Sequence, residues 1–322
     1  MTDPNKRPCS RTLYSRAPRM TPIDQTTGAE ARATRPARPE KLPERTGSWE
    51  LVRWAGAGSL AEIYQARPVG APAGQPAYAV KRLRPEWQEN PEAVALFRRE
   101  AMVGGQVSHP HLVPILAAST ARPPYYLVMP WLAGQTLADR LAASDSFDLP
   151  EILWIARQVG EALDALGSAG WMHGDVKPAN IHLSLEGHVT LLDLGFARHP
   201  EETGSVVDRC VLGTAGYLAP ETIVSTLRCD IRSDIYSLGV VLFEMLAGRL
   251  PFTGQSLAEL AAQHRQDRAP ELRRLVPHLP AGVIRLVREM LCKEPLRRPQ
   301  TPRELIDRLW ALEISTFSER AL

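Results

Sequence analysis

His173-Gly174-Asp175-Val176-Lys177-Pro178-Ala179-Asn180, with Asp193-Leu194-Gly195 starting thirteen residues after Asn180, constrains this chain more than any other stretch. It sets an Asp, a Lys, an Asn and a second Asp in an order that phosphoryl transfer can use. One carboxylate can accept a hydroxyl proton. The Lys can neutralise the moving phosphoryl group, and the Asn and second Asp can hold a divalent metal between phosphates. Taken alone, the stretch also reads as a polar turn ahead of a hairpin.

Other segments decide between the two readings. Gly56-Ala57-Gly58-Ser59-Leu60-Ala61-Glu62-Ile63-Tyr64 reads as a glycine-rich turn between two strands. Such a turn lets the backbone approach phosphate oxygens and donate N–H groups to them. Tyr78-Ala79-Val80-Lys81 is a short apolar strand ending in Lys. Glu100 follows nineteen residues later, in a helical pattern from Glu92 to Gly104. The two can form an ion pair that aims Lys81 at phosphates, although an isolated pair of this kind is usually surface decoration. Downstream, Gly213-Thr214-Ala215-Gly216-Tyr217-Leu218-Ala219-Pro220-Glu221 closes a long loop. Asp234-Ile235-Tyr236-Ser237-Leu238-Gly239 opens a strongly apolar helix, and Arg298-Pro299 follows a Lys293-Glu294-Pro295 turn.

These motifs, in their order and spacing from about residue 47 to 313, resemble the eukaryotic-like serine/threonine protein kinases also found in bacteria. The resemblance implies a two-lobed α+β protein-kinase fold. A small antiparallel sheet with one main helix would form the N-lobe (47–130), and a mostly helical C-lobe would follow the hinge (131–313). It implies that Gly56, Ala57, Gly58, Ser59, Ala61 and Ile63 cover the nucleotide, and that Ala79 lies above the adenine. Lys81 would contact α- and β-phosphates with Glu100 as its helix partner. Asp175 would be the catalytic base, Lys177 the phosphate-neutralising Lys, and Asn180 and Asp193 the metal ligands. Thr214 would bridge Asp175 and Lys177. Tyr126 to Leu132 would be the interlobe hinge, with Met129 as gatekeeper and the Pro130 carbonyl and Leu132 amide on the adenine edge. Glu221 and Arg298 would form a buried pair, and Asp234 would hold the catalytic-loop backbone. His173 is expected to be a scaffold residue. ATP and Mg²⁺ are the implied cofactors, with Mn²⁺ as a substitute, and protein Ser/Thr hydroxyls are the implied acceptors.

Four positions depart from the family pattern. Gly174 stands where many members have an Arg that pairs with a phosphorylated activation loop. Ala61 replaces the third glycine. Gly104 falls where a large apolar residue usually packs behind the metal-binding loop, and His182 where an apolar residue forms the adenine floor. None removes a charge that the chemistry needs.

Composition sets the remaining bounds. With 322 residues, 44% hydrophobic and 23% charged, the chain has the makeup of a soluble globular protein. The formal net charge is +2; ten Lys/Arg against five Asp/Glu put +5 on residues 1–46, so the remainder carries −3. A mildly acidic catalytic region gives no support for nucleic-acid binding. Residues 1–46 are rich in Pro, Arg and Thr without a helical or strand period, which predicts a disordered extension. No signal peptide or membrane span is expected; Ile235 to Leu246 is too short and contains Glu244. Cys9, Cys210, Cys229 and Cys292 show no metal or redox spacing, so reduced thiols and a cytoplasmic location are expected.

Strand character over Trp49–Arg67, Tyr78–Leu83 and Tyr125–Met129, with a helix over Pro91–Gln106, predicts a sheet with one helix on it. Further helices are expected at Leu149–Ala169, Asp234–Ala247, Ser256–Arg265, Ala281–Leu291 and Thr301–Leu312, with a tail at 314–322. Val189–Leu192 is expected to be a buried strand delivering Asp193. Two other functions stay open. His173-Gly174-Asp175 also resembles the loop of aminoglycoside- and choline-kinase-like phosphotransferases, although these generally lack the Ala219-Pro220-Glu221 and Asp234 patterns. A pseudokinase scaffold would predict loss of Lys81, Asp175, Asn180 or Asp193, and all four are present.

Overall fold

The computed structural model describes residues 45–72, 74, 77–143, 147–202, 215–223 and 229–320, with backbone alone over 317–320. The expected extension up to residue 44 lies outside the described residues, as do Cys9, Cys210 and Thr214.

Six strands form an antiparallel sheet: β1 (Arg45–Thr46), β2 (Trp49–Ala57), β3 (Ala61–Pro68), β4 (Tyr78–Leu83), β5 (Ala117–Ser119) and β6 (Tyr126–Pro130), in the order β1-β2-β3-β4-β6-β5. Among the described residues the first strand begins two residues before 47, because Arg45 and Thr46 pair with Glu50 and Trp49. Side chains alternate across the sheet. Leu51, Tyr64, Ala66, Val80 and Val128 pack on one face. Ala61, Leu83 and Leu127 pack on the other, against Ala93, Val94 and Phe97 of helix α1 (Pro91–Gln106). Lys81 shares the parity of Leu83 and is the register partner of Leu127, so it faces α1. That helix starts cleanly: Pro91 sits in the first turn, and the Asn90 side chain accepts from the backbone N–H groups of Glu92 and Ala93, both at 3.0 Å.

Below the sheet lie α2 (Leu137–Ala142) and α3 (Leu149–Ser168), then a second antiparallel sheet of β7 (Gln135–Thr136), β8 (Ile181–Leu183) and β9 (Val189–Leu191). The apolar stripe of α3 is buried at Ile152, Ile155, Ala156, Val159, Leu163 and Leu166. It faces α5 (Ile231–Ala247), which follows the single-turn α4 (Pro220–Ile223) and is buried along most of its length. This cluster is the main core. Helix α5 begins three residues before the expected Asp234, because the Asp230 side chain caps it by accepting from the Arg232 N–H.

Helices α6 (Leu257–Gln266), α7 (Leu272–Leu275), α8 (Ala281–Met290) and α9 (Pro302–Arg320) complete the lobe. Helix α9 continues to Arg320, past the helix end expected at Leu312. Glu313 is held there by Arg157 of α3 at 3.0 Å, and Thr316 is buried with its hydroxyl donating to the Leu312 carbonyl at 2.9 Å. Those contacts outweigh the modest helix propensity of Ser and Thr at this end. Among the described residues, no helix is long and apolar enough to cross a membrane.

Candidate active site

Three charged side chains meet where α1 faces the second sheet. Lys81 Nζ lies 2.7 Å from Glu100 Oε2 and 3.1 Å from Asp193 Oδ1. Glu100 is 2% exposed, so this is no surface pair. Burial opposes the Lys81 charge, but the carboxylates of Asp193 and Glu100 more than offset it and raise its pKa. Burial also pushes the Glu100 carboxyl up, against the pull of Lys81. Asp193 moves the other way: despite burial, the Lys81 ammonium keeps its carboxyl below the ordinary range. Asp193 has φ 65°, in the left-handed region that few residues other than glycine adopt. Its Oδ1 accepts from the Gly195 N–H at 3.3 Å, which helps hold this conformation.

The second group of side chains comes from 172–180. Asp175 is buried, and its Oδ2 lies 2.7 Å from Lys177 Nζ. Asn180 Nδ2 donates to both Oδ2 and the backbone carbonyl of Asp175, each at 2.8 Å. Burial raises the Asp175 pKa, while Lys177 and Asn180 oppose the rise. Asp234 fixes the backbone of this loop. Its Oδ2 accepts from the His173 N–H at 2.6 Å and its Oδ1 from the Gly174 N–H at 2.8 Å. His173 Nδ1 accepts from the Asp175 N–H at 3.2 Å, so the proton sits on Nε2, which donates to the Leu192 carbonyl at 3.0 Å. Burial lowers the His173 pKa and favours this neutral tautomer. His173 thus links Asp175 to the strand end carrying Asp193.

The two groups come together through the β8–β9 hairpin. Ile181 pairs with Leu191, and the Leu192 N–H donates to the Asn180 carbonyl at 2.8 Å. That return brings Asp193 back beside Asn180. With Asn180 Nδ2 committed to Asp175, its side-chain oxygen is the atom left for a cation. One amide oxygen and one carboxylate are hard donors that fit Mg²⁺, but too few to complete its shell. Among the described residues no cluster of three His, Cys, Asp or Glu could hold an ion by itself. The set therefore fits a metal whose remaining ligands are phosphates and water.

On the nucleotide side, Ala79 and Met129 are register partners on the same sheet face as Lys81. The Gly56 and Ala57 end of β2 pairs with Ile63 and Glu62, and the Gly58 N–H donates to the Ala61 carbonyl at 2.8 Å. A Cβ at Gly56 would meet nothing within 4 Å, so this backbone faces open space. Ser59 is fixed by its carbonyl, which accepts from the Trp87 indole N–H at 3.1 Å. Pro130 ends β6, and Leu132 follows Trp131, whose N–H donates to the Ala77 carbonyl at 2.8 Å. His182 is buried on β8, register partner of Thr136, and burial lowers its pKa. At Gly104 a Cβ would lie 2.4 Å from Ile115 Cγ1, so Ile115 fills the space a larger residue would take.

Gly174 has φ +78°, and a Cβ there would lie 2.6 Å from the Phe196 carbonyl oxygen. The backbone has closed in on this glycine. Glu221 and Arg298 form the expected buried pair, at 2.6 Å and 2.8 Å. All five guanidinium N–H groups are used, the other three going to the carbonyls of Cys292, Arg232 and Lys293. Sequence reasoning missed Arg99, which bonds the Ala197 carbonyl at 3.0 Å and Glu202 at 2.7 Å. Complementary charge was the only signal, and about a hundred residues separate the partners.

A lysine paired with a helix carboxylate, beside a loop with Asp, Lys and Asn, is the arrangement of the protein-kinase class. Residues 49–311 match the protein kinase domain, and the chain belongs to that family. It is 33% identical over 258 residues to a probable serine/threonine-protein kinase of Clostridium perfringens, covering 80% of this chain and 37% of that protein. It is 32% identical over 260 residues to the serine/threonine-protein kinase PrkC of Bacillus subtilis (81% and 40%). It is 35% identical over 274 residues to the serine/threonine-protein kinase PknB of Mycobacterium tuberculosis (83% and 42%). The chain thus spans about two-fifths of the length of these relatives.

Proposed function

We propose that this chain transfers the γ-phosphoryl group of ATP to Ser or Thr hydroxyls of protein substrates. One observation carries the reading: Lys81, Glu100 and Asp193 converge at 2.7 Å and 3.1 Å, and the β8–β9 hairpin brings Asp193 back beside the group of Asp175, Lys177 and Asn180. Asp175 is the base that accepts the hydroxyl proton, and Asn180 and Lys177 hold its carboxylate in place. Lys177 is also placed to offset charge on the moving phosphoryl group. Lys81, oriented by Glu100, positions the α- and β-phosphates. The open backbone at Gly56 leaves room for phosphates under the hairpin, and Ala79, Met129 and His182 bound the adenine site with the Pro130 carbonyl and Leu132 amide. Thr214 is proposed, from sequence, to bridge Asp175 and Lys177. Asn180 and Asp193 would hold Mg²⁺, or Mn²⁺ in its place, which screens phosphate charge when bound. The named relatives support Ser/Thr rather than Tyr as acceptor, and a Lys two residues after the base agrees. A cytoplasmic location is proposed because the reaction needs ATP.

The test is incubation of the purified chain with labelled ATP, generic protein substrates and, separately, aminoglycosides, with Mg²⁺ or excess chelator. Label on protein Ser/Thr that depends on metal supports the reading. Label on aminoglycosides alone indicates the small-molecule alternative. ATP binding without transfer indicates a pseudokinase.

A further inference from the structure

The segment after the metal-binding loop carries its own carboxylate clamp on helix α1. Arg99 is adjacent to Glu100 on α1. Its Nη1 reaches the Ala197 carbonyl at 3.0 Å and Glu202 Oε2 at 2.7 Å. Glu202 is itself held in place. Its Oε1 accepts from the His199 N–H at 3.3 Å, and its own N–H donates to the His199 carbonyl at 3.0 Å. His199 is anchored to the lower lobe, donating from Nδ1 to the Gly170 carbonyl at 2.7 Å and lying against Trp171 with ring centroids 3.7 Å apart. The turn is further tied by Met172 and Arg198, which exchange backbone hydrogen bonds at 3.0 Å and 3.1 Å. An unbroken chain of contacts therefore runs from Trp171 and Gly170 through His199, Glu202 and Arg99 to α1, and on through Glu100 to Lys81.

We propose that Glu202 is a positioning residue that holds α1 in its active placement through Arg99, using a genetically encoded carboxylate. A phosphate group at this point would supply the same charge-assisted contact to Arg99. Glu202 makes that contact without modification. The inference rests on the proposed roles of Lys81 and Glu100. The pair is about one-third exposed on each side, 30% for Arg99 and 37% for Glu202, so its effect is modest and sensitive to salt.

The experiment compares wild type, Glu202→Gln, Arg99→Gln and the reversed pair Arg99→Glu/Glu202→Arg, with Glu201→Gln as a neighbouring control. Steady-state kcat and KM for ATP are measured at low and high salt, with hydrogen exchange over Pro91–Gln106. Each single variant should lose about two- to fivefold in kcat at low salt, more than it changes KM. Wild type should approach that lower rate as salt rises, while the single variants stay flat. The reversed pair should recover part of the loss, since it restores the ion pair but neither the bond to the Ala197 carbonyl nor the one from the His199 N–H, and α1 should exchange faster in the single variants than in wild type. Single variants with wild-type kcat, salt response and exchange overturn the proposal. So does a salt-independent loss of which the reversed pair restores nothing, since the ion pair would then carry no part of the effect. Should wild type transfer no phosphate, the proposed function fails, and exchange in α1 still decides whether the clamp exists.

Discussion

Asn180 donates its side-chain amide to both the carboxylate and the backbone carbonyl of Asp175, at 2.8 Å each. One residue therefore restrains the proposed base with its nitrogen and keeps its side-chain oxygen for the proposed cation. Asn180→Ala should have two separable effects. The Mg²⁺ concentration for half-maximal rate should rise at least about tenfold, as losses around metal ligands typically do. A lower rate should persist at saturating Mg²⁺ because Asp175 loses its restraint. Mg²⁺ titration at saturating ATP checks this, and full recovery by excess metal would remove the second role.

Lys81 and Glu100 meet at 2.7 Å with Glu100 buried, so their substitutions should not be independent. Lys81→Met and Glu100→Gln should each lower kcat/KM for ATP. The double variant should be less impaired than the product of the two, with a coupling of about 1 kcal/mol or more. Additive losses in the cycle would mean that the pair does not exist during turnover.

Arg298 and Glu221 are almost completely buried, and the guanidinium fork is fully bonded. Removing one partner strands the other charge, which costs about 3–5 kcal/mol. Arg298→Met should therefore lower the urea midpoint sharply. Arg298→Lys should recover only part of it, since an ammonium cannot reproduce the five-bond fork. Chemical denaturation of the three proteins tests this, and a near-normal midpoint for Arg298→Met would refute it.

The sequence conveyed those parts of the site whose spacing follows one local element. Lys81 and Glu100 were readable because a strand of period two and a helix stripe each fix a direction. Asp193 was readable because a short apolar strand precedes it. Pairings across long separations were not. Helix α9 extends past Leu312 because Arg157 of α3, 156 residues earlier, holds Glu313. Neither partner leaves a mark in the local pattern. Gly174 was visible as a departure from Arg, but its backbone angle and the approach of Phe196 emerge only in three dimensions.

That approach gives a further prediction. Gly174→Arg should not install a receptor for a phosphorylated loop. A Cβ at φ +78°, 2.6 Å from the Phe196 carbonyl oxygen, would strain the backbone that Asp234 holds. The left-handed conformation alone costs about 1–2 kcal/mol for a residue with a Cβ. The variant should melt at lower temperature and transfer phosphate more slowly, with Gly174→Ala behaving similarly. Wild-type melting and rate in both variants would show that the loop relaxes readily.

Lys177 should set the pH at which the enzyme turns on. Burial raises the Asp175 pKa, and the Lys177 ammonium at 2.7 Å is the strongest influence opposing that rise. A base works in its ionised form, so the single-turnover rate should fall as pH drops through the Asp175 pKa. Lys177→Met removes the opposing charge and should move this acid limb to higher pH, beyond any loss in the plateau rate. Asn180→Ala should move it the same way by less, because its hydrogen bond also favours the ionised carboxylate. Asp175→Asn should abolish the limb. Rates are best measured in a single turnover with saturating ATP and metal, so that product release does not mask chemistry. A limb that stays in place in Lys177→Met would assign the titration to another group, and Glu100, whose carboxyl burial pushes up to about 7, is the first to examine.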